Sequence, residues 1–72
     1  METIHKFIRA RRKSLDFTHD KAAQLIGVSR STYSRYEYGQ HIPLDKLELM
    51  AKVFFSIKLH EFMKLYHDKK EG

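Results

Sequence analysis

Four side chains near the middle of the chain have the chemistry needed to recognise nucleic-acid bases. They fall within one short stretch: Arg30, Ser31, Ser34 and Arg35. An arginine can donate two hydrogen bonds to O6 and N7 of guanine, and a serine hydroxyl can donate to or accept from several base edges. Base contacts in double-stranded DNA are therefore their predicted role. Phosphate contact and simple solvation remain the alternatives, because arginine and serine are common on protein surfaces.

The histidines could in principle bind a metal ion, but their spacing argues against it. They are scattered along the sequence, at positions 5, 19, 41, 60 and 67, and the chain contains no cysteine. No two lie four residues apart, and the pair at 60 and 67 is too widely separated to hold one ion. No nucleophile adjoins a base, and no glycine-rich loop could bind phosphate groups. We therefore expect no metal, no cofactor, no catalytic residue and no enzyme activity.

The formal charge of this 72-residue chain is +5. Residues 1–13 hold five basic side chains against one acidic one, Glu2. A basic region favours a polyanionic partner, although many small proteins are basic without binding nucleic acid. No apolar run approaches the roughly 20 residues that span a membrane, and the charged N-terminus is unlike a signal peptide. We expect no membrane association.

Apolar residues recur at steps of three and four, which is typical of helices with one buried face. The pattern predicts an all-α chain with helices over about residues 3–15, 18–26, 30–38, 44–54 and 58–67. Thr18 and Ser29 are expected N-caps, and Gly27 and Gly39 are expected helix ends. Residues 1–68 would form one domain, and the polar residues 69–72 a frayed tail.

The link between the second and third predicted helices is the short segment Gly27-Val28-Ser29. A glycine-containing turn of this length sets two helices at a steep angle, roughly 90–120°. Tyr33 and Tyr36 are then expected to face the core. The four polar side chains described above are expected on the outer face, where a DNA groove could receive them.

At this point the sequence resembles the Cro/C1-type helix-turn-helix family, also called the XRE family, over residues 4–66. The matching residues are Arg12, Phe17-Thr18, Ala22-Ala23, the run from Leu25 to Ser29, the run from Ser31 to Gly39, and Pro43. The resemblance implies a compact five-helix bundle of the lambda-repressor-like type with a central helix-turn-helix. It also implies a cytoplasmic protein, encoded by a bacterium or a phage.

The resemblance further implies a role for each matching position. The base-reading positions of the third helix are those of Arg30, Ser31, Ser34 and Arg35. The phosphate-binding positions, at the start of the second helix and after the third, are those of Thr18, His19, Tyr38, Gln40 and His41. A structural ion pair is expected between Arg12 and Glu37, which would remove an acidic side chain from the DNA-binding face.

Several residues depart from the family pattern. His19 stands where glutamine is frequent, and its contact would be sensitive to pH. Ala22 and Tyr33 replace a larger and a smaller apolar residue, so Phe17 or Tyr33 is expected to fill the space beside Ala22. Asp16 replaces a glycine. The link after the fourth helix lacks the usual glycine or asparagine, which leaves the register of the fifth helix open.

The last two predicted helices hold more large apolar side chains than a small core needs. The predicted surplus is Phe55 together with Phe62, Met63 or Tyr66, and it would form the seam of a homodimer through helices four and five. A dimer would place two reading helices about 34 Å apart on a near-palindromic operator. The predicted function is therefore sequence-specific DNA binding as a transcriptional regulator, most simply a repressor. The alternative is an antitoxin or another interaction module with a protein partner, such as a toxin.

Overall fold

The computed structural model describes residues 3–71, and it describes side chains for residues 3–67. Five helices make up the fold: α1 (Ile4–Ser14), α2 (His19–Ile26), α3 (Arg30–Glu37), α4 (Leu44–Phe55) and α5 (Leu59–Glu71). No strand occurs within residues 3–71. The prediction of an all-α five-helix bundle is thus confirmed. In the described part, no helix is both long enough and apolar enough to cross a bilayer.

Both ends of α2 and the start of α3 lie at residues that local chemistry selects. The hydroxyl of Thr18 accepts a hydrogen bond from the backbone N–H of Lys21 at 3.1 Å, and that of Ser29 accepts from Thr32 at 3.1 Å. Each bond satisfies one of the free N–H groups of a helix N-terminus. Gly27 ends α2 in the left-handed conformation, at φ +74°. The predicted caps Thr18, Gly27 and Ser29 are confirmed, and the C-cap of α3 is Tyr38, one residue before the predicted Gly39.

The link between α4 and α5 makes a left-handed turn without a glycine. Ser56 takes the left-handed conformation at φ +58°, and its N–H donates to the carbonyl of Lys52. Ile57 N–H donates to Ala51, which closes the end of α4. This turn fixes Leu59 as the first residue of α5, and with it the register of that helix. The helix extends to Glu71, beyond the predicted end at His67, and the fraying of residues 69–72 stays a prediction.

The core lies between α1, the helix pair α2–α3 and α4, and α5 packs against α4 and against Phe7 of α1. Its largest fully buried side chains are Ile8, Ile26, Tyr33, Met50, Phe54 and Phe62. The rings of both Phe17 and Tyr33 pack on Phe54, with centroids 6.1 and 6.4 Å away. Ala22 itself is completely buried, so the small residue leaves no opening to solvent at its position.

The prediction that Phe62 belongs to the apolar surplus of a dimer seam is wrong, because Phe62 is fully buried. Phe7 of α1 explains the difference, because its ring lies 5.8 Å from Phe62, 5.7 Å from Tyr66 and 5.3 Å from Phe55 in a stacked arrangement. Helical periodicity identified the inward face of α5 but not the aromatic partner on α1. Among the residues whose side chains are described, the exposed large apolar ones are instead Tyr38, Leu44 and Leu65.

Candidate nucleic-acid interface

The turn between α2 and α3 fixes how the third helix is presented. Val28 N–H donates to the carbonyl of Ala23 at 3.0 Å, across the left-handed Gly27. Ser29 is extended, and its hydroxyl both caps α3 and donates to Thr32 Oγ1 at 2.9 Å. These local bonds hold α2 and α3 in a helix-turn-helix with little freedom at the joint.

Helix α3 has one buried and one open face. Tyr33, Tyr36 and Glu37 are buried. The predicted base-reading side chains lie on the other side: Arg30, Ser31 and Arg35 are exposed, and Ser34 is half-buried. No other described part of the chain covers the three exposed side chains, so this face is free to approach a large partner.

Arg30 forms a weak ion pair with a residue of α2. Its Nε lies 3.6 Å from a carboxylate oxygen of Asp20, and both side chains are about two-thirds or more exposed, at 67 % and 75 %. An ion pair in that setting contributes little, because water and salt screen it. Arg30 can therefore leave Asp20 for a stronger anion or a base edge at small cost.

Arg12 and Glu37 lie together, as the family resemblance implied. Arg12 Nε donates to Glu37 Oε2 at 2.6 Å and its Nη2 donates to Oε1 at 3.2 Å, while Nη1 donates to the carbonyl of Phe17 at 2.7 Å. Burial, the largest single influence, would raise the pKa of Glu37, but the hydrogen bonds and positive charge of Arg12, together with the neighbouring Tyr33 hydroxyl, outweigh it and hold that pKa below its ordinary value. The carboxylate is charged and turned inward, away from the open face of α3.

Tyr33 lies beside this ion pair. Burial raises its pKa above the ordinary value, and the neighbouring Glu37 carboxylate raises it further. The phenol is therefore neutral. Its hydroxyl is buried and meets no hydrogen-bond partner of regular geometry among the described residues. The ring is held by its packing instead, edge-on to Phe54 and to the ring of His19 at 5.7 Å.

His19 occupies a position that sequence analysis assigned to phosphate binding, and its ring is engaged within the chain. Nδ1 lies 2.9 Å from Ser34 Oγ, and Nε2 lies 3.4 Å from Glu37 Oε1. Neither ring nitrogen is left free for a phosphate in this arrangement. The ring instead ties α2 to a predicted base-reading residue on α3. The spacing of 15 residues between His19 and Ser34 gave no local signal of this contact.

The remaining predicted phosphate-binding residues lie at the surface. Thr18 is exposed at the start of α2, where its hydroxyl serves as the N-cap. Gln40 and His41 are exposed in the loop after α3, and Tyr38 is the most exposed large apolar side chain described, at 79 %. The backbone N–H of Gln40 donates to the carbonyl of Arg35 at 3.0 Å, which fixes the start of the loop against α3.

Sequence analysis missed three basic side chains that bind the C-terminal ends of helices. His5 Nδ1 donates to the carbonyl of Tyr36 at 2.7 Å, Arg11 Nε to Phe54 at 2.7 Å, and Lys46 Nζ to Ile26 at 3.3 Å. A positive group is favourable there because the last carbonyls of a helix lack partners and carry partial negative charge. Part of the basic charge near the N-terminus is therefore structural. Three basic side chains of α1 remain exposed: Lys6, Arg9 and Lys13.

An open surface depression lies elsewhere on the molecule. It is an open groove of about 1090 Å³ between the end of α4 and the start of α5, with Leu49, Ile57 and Leu59 in its lining. It shares no residue with the α2–α3 surface. Among the described residues, no cluster of three or more His, Cys, Asp or Glu side chains could hold a metal ion.

Comparison with known proteins gives one result that bears on this surface. A scan against protein-family models matches residues 8–62 to a family described as helix-turn-helix. The match covers most of the chain and includes α2, the turn and α3 in full. Searches of curated proteins and of solved structures found no match.

Proposed function

Because the chain belongs to the Cro/C1-type helix-turn-helix family, whose members are DNA-binding domains, we propose that it binds specific sequences of double-stranded DNA as a transcriptional regulator. The observation that supports this is the open face of α3, which presents Arg30, Ser31 and Arg35 to solvent. The only acidic residue of that helix, Glu37, is buried against Arg12. The face is thus polar, positively charged and unobstructed.

In this proposal α3 enters the major groove and its outer side chains contact the bases. Arg35 and Arg30 suit guanine, since each can donate two hydrogen bonds to O6 and N7. Ser31 and Ser34 are short and would lie near the floor of the groove. Release of Arg30 from Asp20 is part of binding.

Phosphate contacts would position the protein without specifying the sequence. Thr18 is exposed at the start of α2, and Tyr38, Gln40 and His41 are exposed after the end of α3. The exposed cations of α1 add to the attraction. His19 is assigned to the support of Ser34, because both of its ring nitrogens already face partners within the chain.

We propose that the chain acts as a homodimer through α4 and α5 on a near-palindromic operator. The α4–α5 groove has an apolar lining, and both signs of charge line it, with Glu48 and Glu61 alongside Lys52 and Lys58. A surface with both signs of charge can be complementary to itself around a two-fold axis. Leu65, at 43 % exposed, lies on α5 and adds apolar area.

Repression by occlusion is the simplest regulatory mode, because a dimer seated on an operator excludes other proteins from the same DNA. The compartment that this role requires is the one that holds the DNA, the cytoplasm of a bacterium or of a phage-infected cell. We assign the DNA-binding domain to residues 1–68 and treat residues 69–72 as its tail.

Selection of bound sequences from a random DNA pool tests the proposal directly. The expected result is a two-fold symmetric motif with half-sites about 34 Å apart. Arg35→Ala is expected to weaken the selected site by about 1–3 kcal/mol and to relax preference at one base position. Lys58→Ala, in the α4–α5 groove, is the control and leaves base preference unchanged. Selection of no motif, or equal loss by Arg35→Ala on all sequences, contradicts the proposal.

The same groove supports a second candidate function, an antitoxin that binds a toxin protein through α4 and α5. Light scattering on the isolated chain separates the two. A homodimer assigns the groove to a second copy of the chain. A monomer that still selects a half-site leaves the groove available to a protein partner.

A further inference from the structure

The His19 ring lies between a buried carboxylate and a hydroxyl on the DNA-reading helix. Its Nε2 is 3.4 Å from Glu37 Oε1, and its Nδ1 is 2.9 Å from Ser34 Oγ. The same carboxylate accepts two hydrogen bonds from Arg12. A chain of polar contacts therefore runs from α1 through the core to a side chain proposed to touch a base.

The carboxylate determines which ring nitrogen carries the proton. A charged carboxylate only accepts hydrogen bonds, whereas neutral imidazole has one donor and one acceptor nitrogen. An unprotonated Nε2 would place a lone pair against Glu37 Oε1, which is repulsive. The neutral ring therefore keeps its proton on Nε2, and Nδ1 is left as an acceptor.

The acceptor at Nδ1 in turn determines what Ser34 offers to DNA. A serine hydroxyl has one hydrogen and two lone pairs. When that hydrogen is donated to Nδ1, the oxygen can only accept from a base. In the major groove, adenine N6 and cytosine N4 are donors, while guanine O6 and thymine O4 occupy the same places as acceptors.

We propose that His19 is a positioning residue that sets the hydrogen-bond polarity of Ser34, so that the neutral ring makes Ser34 prefer adenine to guanine, or cytosine to thymine, at the base it contacts. This inference rests on the proposed function. It concerns the identity of one base, whereas the proposed function concerns specific binding as such.

Protonation of the ring reverses the direction of the hydrogen bond between His19 and Ser34 without moving a heavy atom. With a second proton, Nδ1 donates to Ser34 Oγ, and the serine hydrogen is released to donate to guanine O6 or thymine O4. The charged and titratable groups with described contacts to the ring's surroundings are Glu37 and Tyr33 of α3 and Arg12 of α1. Histidine is the ordinary side chain whose charge changes between about pH 5 and about pH 8, and the two protonation states are therefore compared across that range.

The test uses the full chain and the site selected from the random pool. Affinity is measured for that site and for each single transition, A to G or C to T, at about pH 5.5 and about pH 8 and at constant ionic strength. One position is expected to shift its preference toward G or T at the lower pH by about three- to tenfold, the effect of one neutral hydrogen bond. Ser34→Ala identifies this position, because it abolishes the preference there at both pH values.

His19→Gln provides the decisive comparison. Its amide can accept from Ser34 through the carbonyl oxygen while the NH₂ group faces Glu37, and it does not titrate. The variant is expected to keep the preference for A or C and to lose its pH dependence. His41→Gln, in the exposed loop, is the matched control: it changes affinity for all sequences alike and leaves the pH-dependent preference intact.

The inference is overturned if the preference at the Ser34 position is the same at both pH values, or if its pH dependence survives in His19→Gln. Thermal unfolding of each variant at both pH values ensures that folded protein is compared. Failure to select any motif would instead contradict the proposed function, so the two failures are distinguishable.

Discussion

The stability of this domain depends strongly on how the buried carboxylate of Glu37 is neutralised. The carboxylate carries its charge in the interior and depends on Arg12 for two hydrogen bonds. Removal of one partner from a buried pair leaves an uncompensated charge, which costs far more than the intact pair contributes. The pair therefore determines stability directly and DNA recognition only through the orientation of α3.

Arg12→Ala is expected to lower the free energy of unfolding by about 3–5 kcal/mol, because Glu37 is left buried and unpaired. Urea denaturation measures the change. Arg9→Ala, an exposed position on the same helix, is the control and is expected to change stability by less than about 0.5 kcal/mol. An Arg12→Ala protein as stable as the parent would mean that Glu37 is not held by this pair.

The pKa of Glu37 gives a second residue-scale prediction. Because its pKa is depressed in the folded state, its stabilising contribution is complete above the ordinary value of 4.5 and is lost as the pH falls through the folded pKa. Glu37→Gln lacks this contribution at every pH. The stability difference between parent and Glu37→Gln is therefore expected to be large at neutral pH and to shrink on acidification below about pH 4.5. A difference that is independent of pH in denaturation experiments would contradict this account.

At the scale of the elements, two helix ends use the same backbone conformation with different residues. Gly27 ends α2 and Ser56 ends α4, both with positive φ. Glycine takes this conformation without strain, whereas a residue with a Cβ atom does so at a cost. The α2–α3 turn therefore has the residue its geometry favours, and the α4–α5 turn does not.

Opposite substitutions at these ends are expected to have opposite effects. A Cβ at Gly27 meets nothing within 4 Å, so Gly27→Ala should cost only the conformational term, about 1–2 kcal/mol. Ser56→Gly should stabilise the chain by up to about 1 kcal/mol. Thermal unfolding measures both. The account of the two turns fails if both substitutions shift stability in the same direction.

Features with local signals could be predicted from the sequence, whereas contacts between helices could not, apart from the Arg12–Glu37 pair that the family resemblance implied. Thr18, Ser29 and Gly27 each act on backbone groups a few residues away, so the sequence alone marks them. The bonds from His5 to Tyr36 and from His19 to Ser34 join residues 31 and 15 positions apart. They exist only because the packed core brings the helices together. The misassignment of Phe62 has the same origin, since its partner Phe7 lies on another helix.

At the scale of the whole molecule, the basic charge is divided between two roles. Arg11 donates to the carbonyl of Phe54 and lies 5.1 Å from the ring centre of Phe55, so it belongs to the scaffold. Lys6, Arg9 and Lys13 are exposed on the same helix and are free to attract phosphate. The net charge alone does not reveal this division.

The salt dependence of binding should reflect the division. If the protein makes about 6–10 phosphate contacts, affinity falls by about 10³–10⁵ between 50 and 200 mM salt. Replacement of Lys6, Arg9 and Lys13 by alanine is expected to reduce the slope of log affinity against log salt. Arg11→Ala is expected to lower stability and to leave that slope unchanged. Equal slopes for the triple variant and the parent would mean that these three side chains of α1 make no phosphate contacts.

The position of Glu37 also limits how far this domain could be shortened. Its carboxylate is the point at which α1, α2 and α3 meet, through Arg12, His19 and its own helix. A two-helix fragment without α1 would retain a negative charge behind the proposed DNA-reading surface and would lack the cation that neutralises it. Transplanting α2 and α3 onto another scaffold would therefore require a new counter-ion at that point, or a neutral residue in place of Glu37.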